Sequence, residues 1–128
     1  MVSLVTEGIR ISVLTLFEKD YSRPNLSEYI FSYTISIENT NPFEVQLLRR
    51  KWVIVDANGD RKEIEGVGIV GLRPFIAPGQ TYTYSSTCDL RTEIGMMKGM
   101  YYMRNIENDS NIQVLVPSFQ LIAPYKMN

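Results

Sequence analysis

The chain contains no histidine. Histidine is the side chain best matched to proton transfer near pH 7 and the commonest transition-metal ligand. Its absence excludes a Ser-His-Asp triad, a Cys-His pair and a histidine-built zinc site. Cys88 is the only cysteine, so no internal disulfide forms, which suits a reducing cytoplasm. Net charge is also scarce: 13 Lys and Arg stand against 14 Asp and Glu, giving −1. No overall field draws the chain to nucleic acid or to an anionic membrane, and we expect neither nucleic-acid binding nor membrane insertion. No apolar run approaches the ~20 residues of a membrane span. The opening MVSLVTEGIR lacks a basic start followed by an apolar stretch, so no signal peptide is expected. Without one, the sequons at Asn25 and Asn108 carry no weight. No long window shows a helical stripe, and only Arg91 to Met97 has room for one short helical turn.

What remains is the punctuation of an all-β protein. The length, 128 residues, fits one domain over 1–128 that buries roughly two thirds of its unfolded surface. Ile9 to Val13 alternates apolar and polar. Tyr29 to Ile37 does the same, with Tyr33 and Ile35 on its core face. Val45 to Asp56 is a third strand, with Trp52 and Ile54 in the core. Asn58-Gly59 marks a hairpin turn, and Arg61 to Glu65 returns. Pro78-Gly79 suits the centre of a type II turn. Thr81 to Ser86, Met100 to Arg104 and Ile112 to Ile122 complete the pattern. In the last of these the apolar phase switches at Pro117, which indicates a bulge or an edge. Together these imply a β-sandwich of two antiparallel sheets with about seven to nine strands.

Gly66-Val67-Gly68-Ile69-Val70-Gly71 spells G-x-G-x-x-G. A dinucleotide site needs that run to leave a strand and open a helix. Here it follows a hairpin, and Pro74 disfavours helical geometry at Arg73. The glycines therefore mark a bulge or a close backbone approach, or a simple anion site. In the anion reading, amides of Gly66, Gly68 and Gly71 and a cation from Arg49, Arg50, Lys51 or Arg73 would gather phosphate or pyrophosphate.

The block Arg49-Arg50-Lys51-Trp52 puts Arg50 on the face of Leu48, Trp52 and Ile54. Arg49 and Lys51 fall on the other face with Val53. One basic side chain must therefore lie near the core face, snorkelling or paired. Asp56, Asn58 and Asp60 open like a calcium loop, but Arg61 and Val67 stand where that loop needs glycine and glutamate. Asp56, Asp60, Glu63 and Glu65 are the only carboxylates close enough in sequence to suggest magnesium. No metal site, cofactor or catalytic residue is expected.

Trp52 to Gly59, Val5 to Ile9, Val45 to Trp52, the glycine run with Pro74 and Pro78-Gly79, Gly95 to Gly99 with Tyr102-Met103, and Val116 to Phe119 together resemble the ApaG family over nearly the whole chain. That resemblance implies a fibronectin type III or immunoglobulin-like sandwich. It also implies a non-enzymatic binding domain with an unidentified protein partner, associated with cobalt and magnesium resistance or efflux. The alternative it suggests is phosphate, pyrophosphate or nucleotide-phosphate binding at the glycine run, linked to dinucleotide polyphosphate metabolism. Oligomeric state stays open, a homodimer included. Lys51 stands where the family usually has histidine, so any chemistry of that histidine does not carry over.

Overall fold

The structure, a computed structural model, describes residues 1–69 and 71–124. Among these residues it is a β-sandwich of nine strands: β1 (Val2–Thr6), β2 (Ile9–Phe17), β3 (Tyr29–Asn39), β4 (Val45–Asp56), β5 (Arg61–Val67), β6 (Phe75–Ile76), β7 (Thr81–Leu90), β8 (Ile94–Asn105) and β9 (Asn111–Ile122). One sheet runs β1-β2-β3-β7. The other runs β5-β4-β8-β9, with β6 also paired to β4. All neighbours are antiparallel.

Alternation builds the core. Ile9, Ile11 and Val13 of β2 and Phe31, Tyr33, Ile35 and Ile37 of β3 face Trp52, Ile54, Met97, Tyr101, Met103, Phe119 and Leu121 of the second sheet. Trp52 is only 3% exposed. It meets Tyr33, Tyr101 and Phe119 edge-on, at centroid distances of 5.7, 6.1 and 6.1 Å. Its ring packs on Gly99, its partner across the β4–β8 ladder. A side chain at 99 would occupy the space of the indole.

Two bulges set the phase. In β4 the register against β8 shifts between Leu47 and Arg49. Val45 and Leu47 point inward before it, and Trp52 and Ile54 after it. Leu48 is the extra residue, so it does not share a regular face with Arg50 as simple alternation suggests. In β9, Val116 pairs Gly99 and Phe119 pairs Met97, which leaves Pro117 and Ser118 opposite Lys98. The phase switch at Pro117 is thus a bulge, and β9 is also the outer strand of its sheet.

The turns follow their residues. Gly79 has φ 78°, and the Gln80 amide donates to the Ala77 carbonyl at 3.0 Å, the geometry of a type II turn. At the β4–β5 hairpin only Gly59 takes positive φ, 95°, while Asn58 does not, so the connection is longer than a two-residue turn. The segment 91–97 holds no helix: bends at 91–93 lead directly into β8.

Candidate functional site

The glycine run starts on a strand and ends in a loop. Gly66 lies on β5 opposite Arg50. Gly68 and Gly71 have φ of 57° and 79°, values that favour glycine. Val70 lies outside the described residues. The Gly68 amide donates to the Leu48 carbonyl at 2.7 Å, which ties the loop to the β4 bulge. Ile69 and Leu72 exchange backbone hydrogen bonds at 2.7 and 2.9 Å. The buried Ile69 side chain anchors the loop in the core. No helix opens here; the next element is β6.

The basic residues expected near this loop make different contacts. Arg50 sits at the open side of the sandwich, and its guanidinium donates to the Gly68 carbonyl at 2.9 Å and to that of Val67 at 3.4 Å. It thereby meets the loop's acceptors rather than joining its amides. Arg49 stacks over the Tyr102 ring, 4.5 Å from its centroid. Lys51 lies 3.9 Å from Glu65. Arg73 runs beside Gly68, and its own carbonyl accepts from Gln46 at 3.3 Å. A cleft of about 220 Å³ brings Arg49, Arg50 and Gly66 together, with Glu65 in its wall. That carboxylate opposes an anion. Lys51, Gly68, Gly71 and Arg73 do not line the cleft.

Between the sheets, on the same open side, a second cavity of about 160 Å³ is lined by Tyr33, Arg50, Tyr84, Ser86 and Cys88 among others. The Tyr84 and Tyr101 hydroxyls are hydrogen-bonded to each other. Burial pushes Tyr33, Tyr84 and Tyr101 above the ordinary tyrosine value. Burial, with the Asp89 carboxylate second, pushes the Cys88 thiol up to about 11. All four are held neutral near pH 7, the opposite of an activated nucleophile or base.

The carboxylates also separate. Asp56 is buried and accepts from the Ala57 and Arg91 amides at 2.9 and 2.7 Å and from the Thr92 hydroxyl. It fastens the β7–β8 connection to the end of β4. Glu63 pairs with Arg61 at 3.4 Å. Among the described residues, no three His, Cys, Asp or Glu side chains are grouped to hold a metal ion.

The outer face of the second sheet gathers a different set. Beyond the β4 bulge, Arg49, Lys51 and Val53 point outward. Their ladder partners Tyr102, Met100 and Lys98 on β8 do the same, and Leu115 on β9 faces Met100. A depression of about 450 Å³ lies over these strands, with Leu4 of β1 at its margin. Large apolar side chains remain exposed on this sheet: Val67 at 51%, Phe75 at 54% and Leu115 at 45%. Alternation in β4 placed Arg49 and Lys51 here. The sequence marks only Met100 to Arg104 of β8 as a strand and does not single out its outward side chains, although Met96, Lys98, Met100 and Tyr102 alternate with Met97, Gly99, Tyr101 and Met103. The signal was present but interrupted by glycines.

Comparison with known proteins agrees with this architecture. The ApaG domain family matches residues 19–105. A Protein ApaG from Vibrio vulnificus (strain YJ016) is 42% identical over 120 residues, 94% of each chain. One from Anaeromyxobacter sp. (strain K) is 38% identical over 128 residues, covering both chains fully. The crystal structure of an ApaA protein from Bordetella pertussis superposes with a TM-score of 0.88 at 36% identity, covering 91% of this chain and 94% of that one.

Proposed function

This chain belongs to the ApaG domain family, and on that premise we propose that it is a non-enzymatic binding domain acting through a protein partner. The observation that carries the reading is the outer face of the β5-β4-β8-β9 sheet. There Val67, Phe75 and Leu115 stand exposed among Arg49, Lys51 and Lys98. Exposed apolar side chains rimmed by polar ones mark interaction surfaces. The neutral interior phenols and thiol support binding over catalysis, since none is poised for proton transfer near pH 7.

We place the domain over all of 1–128, because β1, β2 and β9 lie outside the matched segment 19–105 yet complete the two sheets. No helix among the described residues is long and apolar enough to cross a membrane. The lone reduced cysteine favours the cytoplasm. Any influence on cobalt or magnesium is exerted through the partner rather than by coordination in this chain.

The test is affinity capture with the intact chain and with a Phe75→Asp variant, followed by reconstitution with the purified partner. A stoichiometric complex that the variant weakens supports the reading. A native chain that forms no complex, and instead turns over a small substrate, overturns it.

A further inference from the structure

The depression over β4, β8 and β9 has an apolar floor and a basic margin. Val53, Met100 and Leu115 supply the apolar lining, and Lys51 on β4 and Lys98 on β8 line it as well, diagonal to each other across the ladder. Among the described residues, none of its lining side chains is acidic. Lys51 has only a 3.9 Å contact with Glu65, and both ends of that pair are well exposed. Lys98 has no ion-pair partner among the described residues. A local surplus of positive charge thus stands on a chain whose net charge is −1. The volume, about 450 Å³, is within the roughly 300–1,000 Å³ range of ligand pockets.

We infer that this depression seats an acidic segment of the protein partner, in which one bulky apolar side chain fills the floor and flanking carboxylates meet Lys51 and Lys98. The inference rests on the binding-domain reading above and names where and what the domain binds. Charge complementarity selects the partner's sign, and the apolar floor demands a side chain to bury. An anionic membrane is a poorer fit, because lipid-binding surfaces cluster about four to eight cations whereas two line this concave site. Arg49 lies over the Tyr102 ring and does not line the depression.

The test uses acetyl-Glu-Asp-Phe-Leu-Asp-Glu-amide as the probe, titrated into the isotope-labelled chain and followed by amide NMR shifts. The control replaces every acid of the peptide with lysine. Saturable shifts at Val53, Lys98, Met100 and Leu115, seen with the acidic probe alone, are expected. Lys98→Glu should weaken binding about fivefold, as loss and reversal of an exposed charge contact implies, and Lys98→Gln by less. Lys62→Glu, on β5 away from the depression, should leave it unchanged. Equal response to the basic peptide, shifts confined to another face, or indifference to both Lys98 variants would overturn the inference. So would the same shifts from phosphatidylglycerol vesicles without response to the peptide. Failure is separable from failure of the broader reading: undiminished partner capture by Lys98→Glu removes this seat while a protein-binding role stands.

Discussion

Gly68 differs from its neighbours in the glycine run in what an added methyl would meet. Its φ is 57°, and a Cβ there would overlap the Leu72 carbonyl oxygen, which the loop already uses to accept from Ile69. At Gly71 φ is 79° but the space is open. At Gly66 a Cβ would lie 2.7 Å from the far end of the Arg50 side chain, which can swing aside. We therefore expect Gly68→Ala to cost about 2–4 kcal/mol, combining a left-handed penalty of ~1–2 kcal/mol with displacement of backbone. Gly71→Ala should cost ~1 kcal/mol, and Gly66→Ala less than Gly68→Ala. Urea midpoints of the three variants check the order; equal costs would mean that the loop yields freely. The sequence made these glycines visible and, through Pro74, excluded a helix after them. It left open whether they serve a ligand or the backbone, because both uses call for the same residue. In the structure the Gly68, Ile69 and Leu72 amides donate to protein carbonyls.

Most strands were legible because alternation is a local property. β4 spans the expected Val45 to Asp56, and β3, β5 and β9 run at most two residues beyond their expected ends. β8 was recognised only in its second half. Gly95 and Gly99 depress its strand propensity, yet each is required by contact with another element, Leu90 over Gly95 and Trp52 over Gly99. Alternation does not mark β1 or β6, because β1 is mostly exposed and β6 is two residues long. The β4 bulge was also unforeseen: Leu47-Leu48 is apolar on both phases, so alternation gives no warning of a shift. These contacts yield a paired prediction. Trp52→Ala should cost about 3–5 kcal/mol, as expected for a large buried side chain. Gly99→Ala should also destabilise, because its methyl would compete with the indole at 2.5 Å and with the Lys51 carbonyl at 2.7 Å. In the double variant the two costs should be less than additive, since the alanine at 52 makes room for part of the methyl at 99. Denaturant unfolding of the single and double variants provides the check, and strict additivity would show that the backbone contact alone decides the cost at 99.

At the scale of the whole molecule, the titration of metals and of protons should differ sharply. Cobalt favours nitrogen and sulfur ligands, while the chain has no histidine and its one thiol is buried. Calorimetric titration of the isolated chain with cobalt should show no one-site binding of micromolar or better affinity; a site of that strength would mean that the chain acts on cations directly. Protons, by contrast, should govern stability on the alkaline side. Cys88, Tyr33 and Tyr101 are buried between the sheets and Tyr84 is partly buried there; all four are neutral near pH 7, with folded values raised above the ordinary ones, chiefly by desolvation. For such groups the unfolded chain releases its proton first. Their stabilising contribution is fully present below the unfolded value and is lost as pH rises toward and through the folded one. For Cys88 the window runs from the ordinary 9.0 to about 11, and for the tyrosines it begins at 10.0 and extends upward. Stability should therefore be flat in this respect from pH 7 to about 8.5 and decline progressively above it, with several protons released per unfolding event. Cys88→Ala should remove the part of the decline that begins near pH 9, and Tyr84→Phe part of the steeper portion beyond pH 10. Both variants have their own costs at pH 7, so the quantity to compare is the slope of unfolding free energy against pH. Thiol reagents at pH 8 should label Cys88 in the native chain far more slowly than in urea, because attack requires a thiolate that burial disfavours. An unchanged alkaline slope in both variants, together with rapid native labelling, would show that water reaches this part of the core and that the sheets open along the β5–β7 side.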